Sequence, residues 1–121
     1  MKISELATPF PASGRRSVEL IALTFKSSHL ELQLAHEDSD RKWRARFATV
    51  QAFKHVTWEC AAHRLAGFPE GCFFEVAESP WIKELGGDVQ HFLSKSRHYV
   101  LSCHDEILEV VAWSHELVAI E

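Results

Sequence analysis

The residues with the widest chemical reach are three cysteines and eight histidines in a chain of 121. Cys60-x-x-His63 and Cys103-His104 supply four zinc-type ligands, and structural zinc sites use two such close pairs, each fixing half of a tetrahedron. Cys103 and His104 are adjacent, however, and neighbours in a strand point to opposite faces. These four residues are therefore the metal candidates by type alone, and the spacing assigns no metal. The reading that competes with ligation is core cysteines and surface histidines. His91 and His98, seven apart, carry no specific signal.

Carboxylates gather at Asp105, Glu106 and Glu109, with Glu75 and Glu78 on a neighbouring strand. Paired carboxylates do general acid–base work only where burial separates their pKa values. Asp105-Glu106 falls in a predicted turn and Glu109 alternates with apolar residues, so a solvated face is expected. Cys103 beside His104 has the composition of an activated thiol, but a catalytic base must come from across the fold rather than from the next residue. Glycine-rich phosphate loops, GxSxG and HExxH are absent from the sequence. No catalytic residue and no cofactor are assigned.

Trp43, Trp58, Trp81 and Trp113 bury large areas if they are core. Trp113, flanked by Ser114, His115 and Glu116, is the candidate for exposure in a binding face.

Length and an ordinary composition, 46% hydrophobic and 25% charged, give one globular domain over 1–121. The first twelve residues carry no apolar leader and the cysteine count is odd, which together give a reduced, cytoplasmic expectation. No apolar run is long enough to span a membrane.

Residues 1–16, with Pro9, Pro11 and Gly14, read as an irregular lead-in. Val18 to Lys26 fits a buried strand, Ser27-Ser28 a turn, and the Leu30, Leu32, Leu34 alternation a second strand. Residues 37–42 read as a polar loop. Trp43, Ala45 and Phe47 start a third strand with a break near Gln51. Residues 59–66 read as a short helix stopped by Gly67, and 72–76 as a strand. Ser79-Pro80 is the sharpest local signal, an N-cap followed by proline in the first helical position. The helix it opens is expected to pack on the sheet through Trp81 and Leu85, with Gly86-Gly87 interrupting it and 89–93 resuming it. Tyr99 to Cys103 and Ile107 to Ala112 form a final hairpin, and Leu117 to Ile120 an edge strand or packed tail. The fold class is α+β, a mostly antiparallel sheet of about five to seven strands with one or two short helices.

The net charge of −4 is unevenly spread: residues 41–64 carry +5 and residues 65–121 carry −7. A negative balance with few bases disfavours nucleic acid. The acidic half, with Asp105, Glu106, Glu109 and Trp113, is the expected surface for a basic protein partner.

Three segments carry a resemblance: FATVQAFKHV (47–56), FFEVAESPWIKEL (73–85) and HYVLSCHDEILEVVA (98–112). Together they resemble small bacterial proteins with an aromatic-rich strand, a capped helix start and a terminal hairpin in this order. Some families of that kind are similar to immunity proteins of bacterial polymorphic toxin systems. The resemblance implies a non-catalytic interaction domain, immunity-like, and brings no catalytic residues. The alternative is a small enzyme or metal-binding protein using the His, Cys and carboxylate residues. The apolar edge at Leu117 to Ile120 adds a homodimer as an expectation.

Overall fold

The computed structural model describes residues 2–11, 14–86 and 92–120. Strands β1 (Lys2–Glu5), β2 (Val18–Lys26), β3 (His29–His36), β4 (Ser39–Thr57), β5 (Phe73–Ala77), β6 (Arg97–Ser102) and β7 (Glu106–Ile120) form one seven-stranded sheet. Its order is β1-β5-β6-β7-β4-β3-β2, and every neighbouring pair is antiparallel. Two short helices, α1 (Trp58–Ala61) and α2 (Pro80–Gly86), complete the α+β fold. No helix is long and apolar enough to cross a membrane among the described residues.

The β2–β3 hairpin turns on Ser27 and Ser28, both with positive φ (52° and 64°), between the paired residues Lys26 and His29. Two left-handed residues in a two-residue loop give the turn whose twist matches that of the strands. The polar stretch 37–42 is mostly not a loop. Its turn is confined to Glu37 and Asp38, and Ser39 is already paired with His36. Lys42 pairs with Ala35 on one side and Ile120 on the other. Strand pairing occupies the backbone on one side at Ser39 and on both sides at Lys42, and side-chain polarity does not report that.

β4 has 19 residues, roughly 60 Å if straight, too long for a domain of this size. It bends where the sequence reading placed a break: Thr49 has φ 54°, and the register with β7 shifts between Val50 and Ala52. Before the bend β4 pairs with β3 and the second half of β7; after it, with the first half of β7. The two halves of the sheet turn toward each other and enclose the main core. Phe47 meets Phe73 at 6.3 Å and Tyr99 at 5.4 Å between ring centroids. Leu30, Leu32, Leu34, Leu101 and Leu108 fill the space around them.

The other face of β5–β6–β7 carries a second, smaller core of Phe74, Val76, Val100 and Ile107. Ala61 of α1 and Leu65 of a 3-10 turn over Ala62–Leu65 cover it. The helix expected over 59–66 is thus a turn of α-helix continued by a tighter turn, and Gly67 at φ +84° ends it.

Three expectations change. The lead-in is not wholly irregular: β1 pairs with β5, and the Arg15 guanidinium donates to the carbonyls of Leu65 (3.1 Å) and Phe68 (2.7 Å). Leu85 is 37% exposed, so α2 meets β6 chiefly through Trp81, whose ring packs on His98. Leu117 to Ile120 is not a separate strand but the end of β7, paired with β4 from Lys42 to Ala45. Most of the expected helix over 89–93 lies outside the described residues, and Phe92–Lys95 is a 3-10 turn.

Candidate functional site

On the outer face of the sheet, β6 and β7 place His98 and Glu109 on one diagonal, since His98 pairs with Val111 and Val100 with Glu109. His98 Nε2 lies 2.8 Å from Glu109 Oε1. Arg64, carried by the 3-10 turn, closes on the other carboxylate oxygen through its Nε. From the β5–α2 junction, Ser79 Oγ reaches His98 Nδ1 at 2.8 Å, and Trp81 packs edge-on to the imidazole at 5.2 Å. Ser79, His98 and Glu109 are each 4% exposed.

Burial opposes ionisation of Glu109, but the hydrogen bonds from His98 and Arg64 outweigh it and push its pKa down to about 2. The same bond to Glu109 raises Arg64. An ionised carboxylate only accepts hydrogen bonds, so His98 Nε2–H is the donor to it. In the neutral imidazole Nδ1 then accepts, and the Ser79 hydroxyl donates to it. Ser79 Oγ accepts in turn from the Ile82 N–H at 3.2 Å, capping α2. From the Ile82 N–H to the Arg64 Nε, each donor in the chain meets an acceptor.

Two concavities flank this chain. One, of about 270 Å³, has Leu65, Phe68, Val76 and Ile107 as apolar walls, with His98 and Glu109 at its polar side. The other, of about 350 Å³, is bounded by Glu75, Ser79, Lys83, Lys95 and Arg97. Arg97 is held there by Glu75 at 2.6 Å.

The carboxylates of the hairpin separate into two kinds. Asp105 is exposed and Glu106 partly so, with Arg16 3.8 Å from Asp105 and His55 3.8 Å from Glu106. Glu109 is not on a solvated face. Its alternation is outward from the main core, but outward here means under Arg64 and the 3-10 turn. Trp113 is half-buried, with Lys95 Nζ 5.3 Å from its ring centroid.

Cys60 is exposed on α1, whereas Cys103 lies in the main core, so the four metal candidates are not brought together. Among the described residues no three His, Cys, Asp or Glu side chains are grouped to hold a metal ion. Burial, with Glu106 and Cys72 nearby, pushes the Cys103 thiol far up from its ordinary value, the opposite of an activated thiolate.

Ser79 was legible as a cap but not as a partner of His98, which lies 19 residues away; Glu109 is a further 11. Only strand pairing brings them together. No family model, no curated protein and no solved structure matches this chain.

A second feature lies at the far edge of the sheet. β2, nine residues long, pairs only with β3 among the described residues. It holds two of the three exposed large hydrophobic side chains among the described residues, Ile21 (47%) and Phe25 (48%). Ile21 is the extra residue at a register shift between Leu20 and Ala22, and Phe25 leans on Phe53 at 5.2 Å.

Proposed function

We propose that this chain is a protein-interaction domain that takes up an extended segment of a partner protein along the free edge of β2. The observation that carries the reading is the combination of a backbone edge with no strand partner among the described residues and exposed Ile21 and Phe25 on the same strand. Single-chain proteins ordinarily blunt such an edge with charge, proline, a bulge or a covering element; β2 has charge only at Glu19 and Lys26 and an irregularity at Ile21, which leaves Ala22 to Phe25 as the open stretch. Backbone hydrogen bonds from an added strand supply affinity, and alternate side chains supply selectivity.

Charge supports a basic partner. Glu19 and Glu37 border the concavity at the start of β2 together with Arg16, which lies 3.8 Å from exposed Asp105 and leaves the two glutamates in excess there; the Val18 carbonyl accepts the N–H of His104. A basic protein of the kind that immunity proteins of toxin systems bind fits this side of the molecule. Asp105 and Glu106 act in steering, Trp113 adds apolar contact, and Glu109 contributes by fixing the hairpin beneath them.

The test is affinity capture and hydrogen exchange with wild type and with the pair of variants Ile21→Lys and Phe25→Lys. A partner that protects β2 amides and is lost from both variants supports the reading. A partner held equally by all three proteins, with β2 amides unprotected, overturns it. Sedimentation of the isolated protein separates the homodimer: self-association abolished by the same variants makes a second copy the occupant of the edge.

A further inference from the structure

We propose that Ser79 is a nucleophile, activated by His98, that transfers the acyl group of small carboxylic esters to water. This goes beyond strand-mediated binding and rests on a different part of the molecule. Three observations converge on Ser79.

The first is local backbone. β5 ends at Ala77, Glu78 has φ 54°, Ser79 follows, and α2 begins at Pro80. A left-handed backbone is sterically disfavoured for any residue but glycine. Strain of this kind gathers at sites where a side chain must be presented in a fixed direction.

The second is the hydrogen-bond chain. Hydroxyl to imidazole and imidazole to carboxylate are both 2.8 Å, inside the range for a nucleophile, its base and the group that orients the base. The ring nitrogens are interchanged relative to the serine-protease arrangement, with the hydroxyl on Nδ1. Roles rather than atom names define such a constellation. Glu109, held ionised by Arg64, fixes the tautomer that leaves Nδ1 free to accept the Ser79 proton.

The third is space. Ser79 belongs to the wall of the 350 Å³ concavity, within the size range of small-ligand sites. Glu75 and Glu78 share this wall with Lys83, Lys95 and Arg97, and with Arg97 tied to Glu75 the two lysines are the groups that favour negative charge as it develops on a carbonyl oxygen. A concavity of about 350 Å³ suits short acyl groups.

In the step itself, Ser79 Oγ bonds to the carbonyl carbon while its proton passes to His98 Nδ1. The carbon–oxygen bond to the leaving alcohol then breaks, and the alcohol departs with that proton. Water attacks the acyl-serine in the same way, its proton passing through His98 to Ser79 Oγ, and the free acid leaves.

The experiment uses the intact chain with p-nitrophenyl acetate and diisopropyl fluorophosphate, read by nitrophenolate release, intact mass and peptide mapping. The expected result is one phosphoryl adduct, on Ser79, formed by folded but not by unfolded protein. Ser79→Asn keeps an oxygen to cap α2 and removes the nucleophile, so it should take up no adduct. His98→Gln should label at least about 100-fold more slowly, the smallest contribution of a general base. Failure of folded wild-type protein to label at Ser79, or labelling of Ser79→Asn at the wild-type rate, overturns the proposal. If the variants do not fold, the map of wild-type adducts decides alone.

Discussion

His98 and Glu109 face each other across β6 and β7 at 2.8 Å, and Arg64 closes the same carboxylate from the overlying turn. A carboxylate is thereby buried in ionised form at the junction of sheet, turn and α2. The arrangement joins three elements distant in sequence, so its loss should loosen all of them.

The pH dependence follows from the direction of the Glu109 shift. Its folded value is depressed from 4.5 to about 2, so the stability it contributes is complete above pH 4.5 and is lost as pH falls toward 2. Thermal unfolding of wild type should therefore show a steep acid limb between pH 5 and 2. Glu109→Gln should flatten that limb and lower stability at pH 7 by about 3 kcal/mol. That is the lower end for breaking a buried pair, because Arg64, 40% exposed, can turn to water. Equal acid limbs in the two proteins would refute the assignment.

The corner of β4 offers a test of strain. Thr49 is β-branched and sits at φ 54°, where glycine meets no steric cost. Thr49→Gly should leave stability unchanged or raise it by about 1 kcal/mol, the strain relieved less the added chain entropy. The same change at Ala45, buried in the main core at an ordinary strand position, should be destabilising. Chemical denaturation of both variants reads the contrast.

The cysteines should differ sharply toward a thiol reagent. Cys60 is exposed, while Cys72 and Cys103 are buried and Cys103 is held as the neutral thiol. Native protein should react once and quickly, at Cys60, with the other two following only on unfolding. Fast modification of all three in native buffer would contradict the packing of the main core.

Steering by the hairpin is testable once a basic partner is in hand. Asp105→Asn with Glu106→Gln should slow association, and added salt should erase the difference, since exposed charges are screened within about 8–10 Å at 0.1–0.15 M. Trp113→Ala should instead speed dissociation. Stopped-flow or surface-binding kinetics separate the two effects, and unchanged rates in both variants would place the contact elsewhere.

Much of the fold was legible because it is written in short-range pattern. The Leu30, Leu32, Leu34 alternation, the Ser27-Ser28 turn, the break near Gln51 and the Ser79-Pro80 helix start each depend on residues a few positions apart. Period-2 burial, turn conformations and helix capping are local consequences of backbone geometry. The β1 strand was not legible, because KISE has no alternation and owes its conformation to β5. Nor was the strand at Ser39–Lys42, whose polar side chains conceal a backbone paired on one or both sides.

The site divides along the same line. Sequence alone determined that Ser79 caps a helix and that Glu109 points away from the core of its own strand. Tertiary structure decided that this outward face is roofed by Arg64 and the 3-10 turn, and that His98 stands between Ser79 and Glu109. The physical reason is that side-chain direction is a property of the strand, whereas burial on the far face depends on what lies above it. For Glu109 that roof comes from a turn 45 residues earlier in the chain.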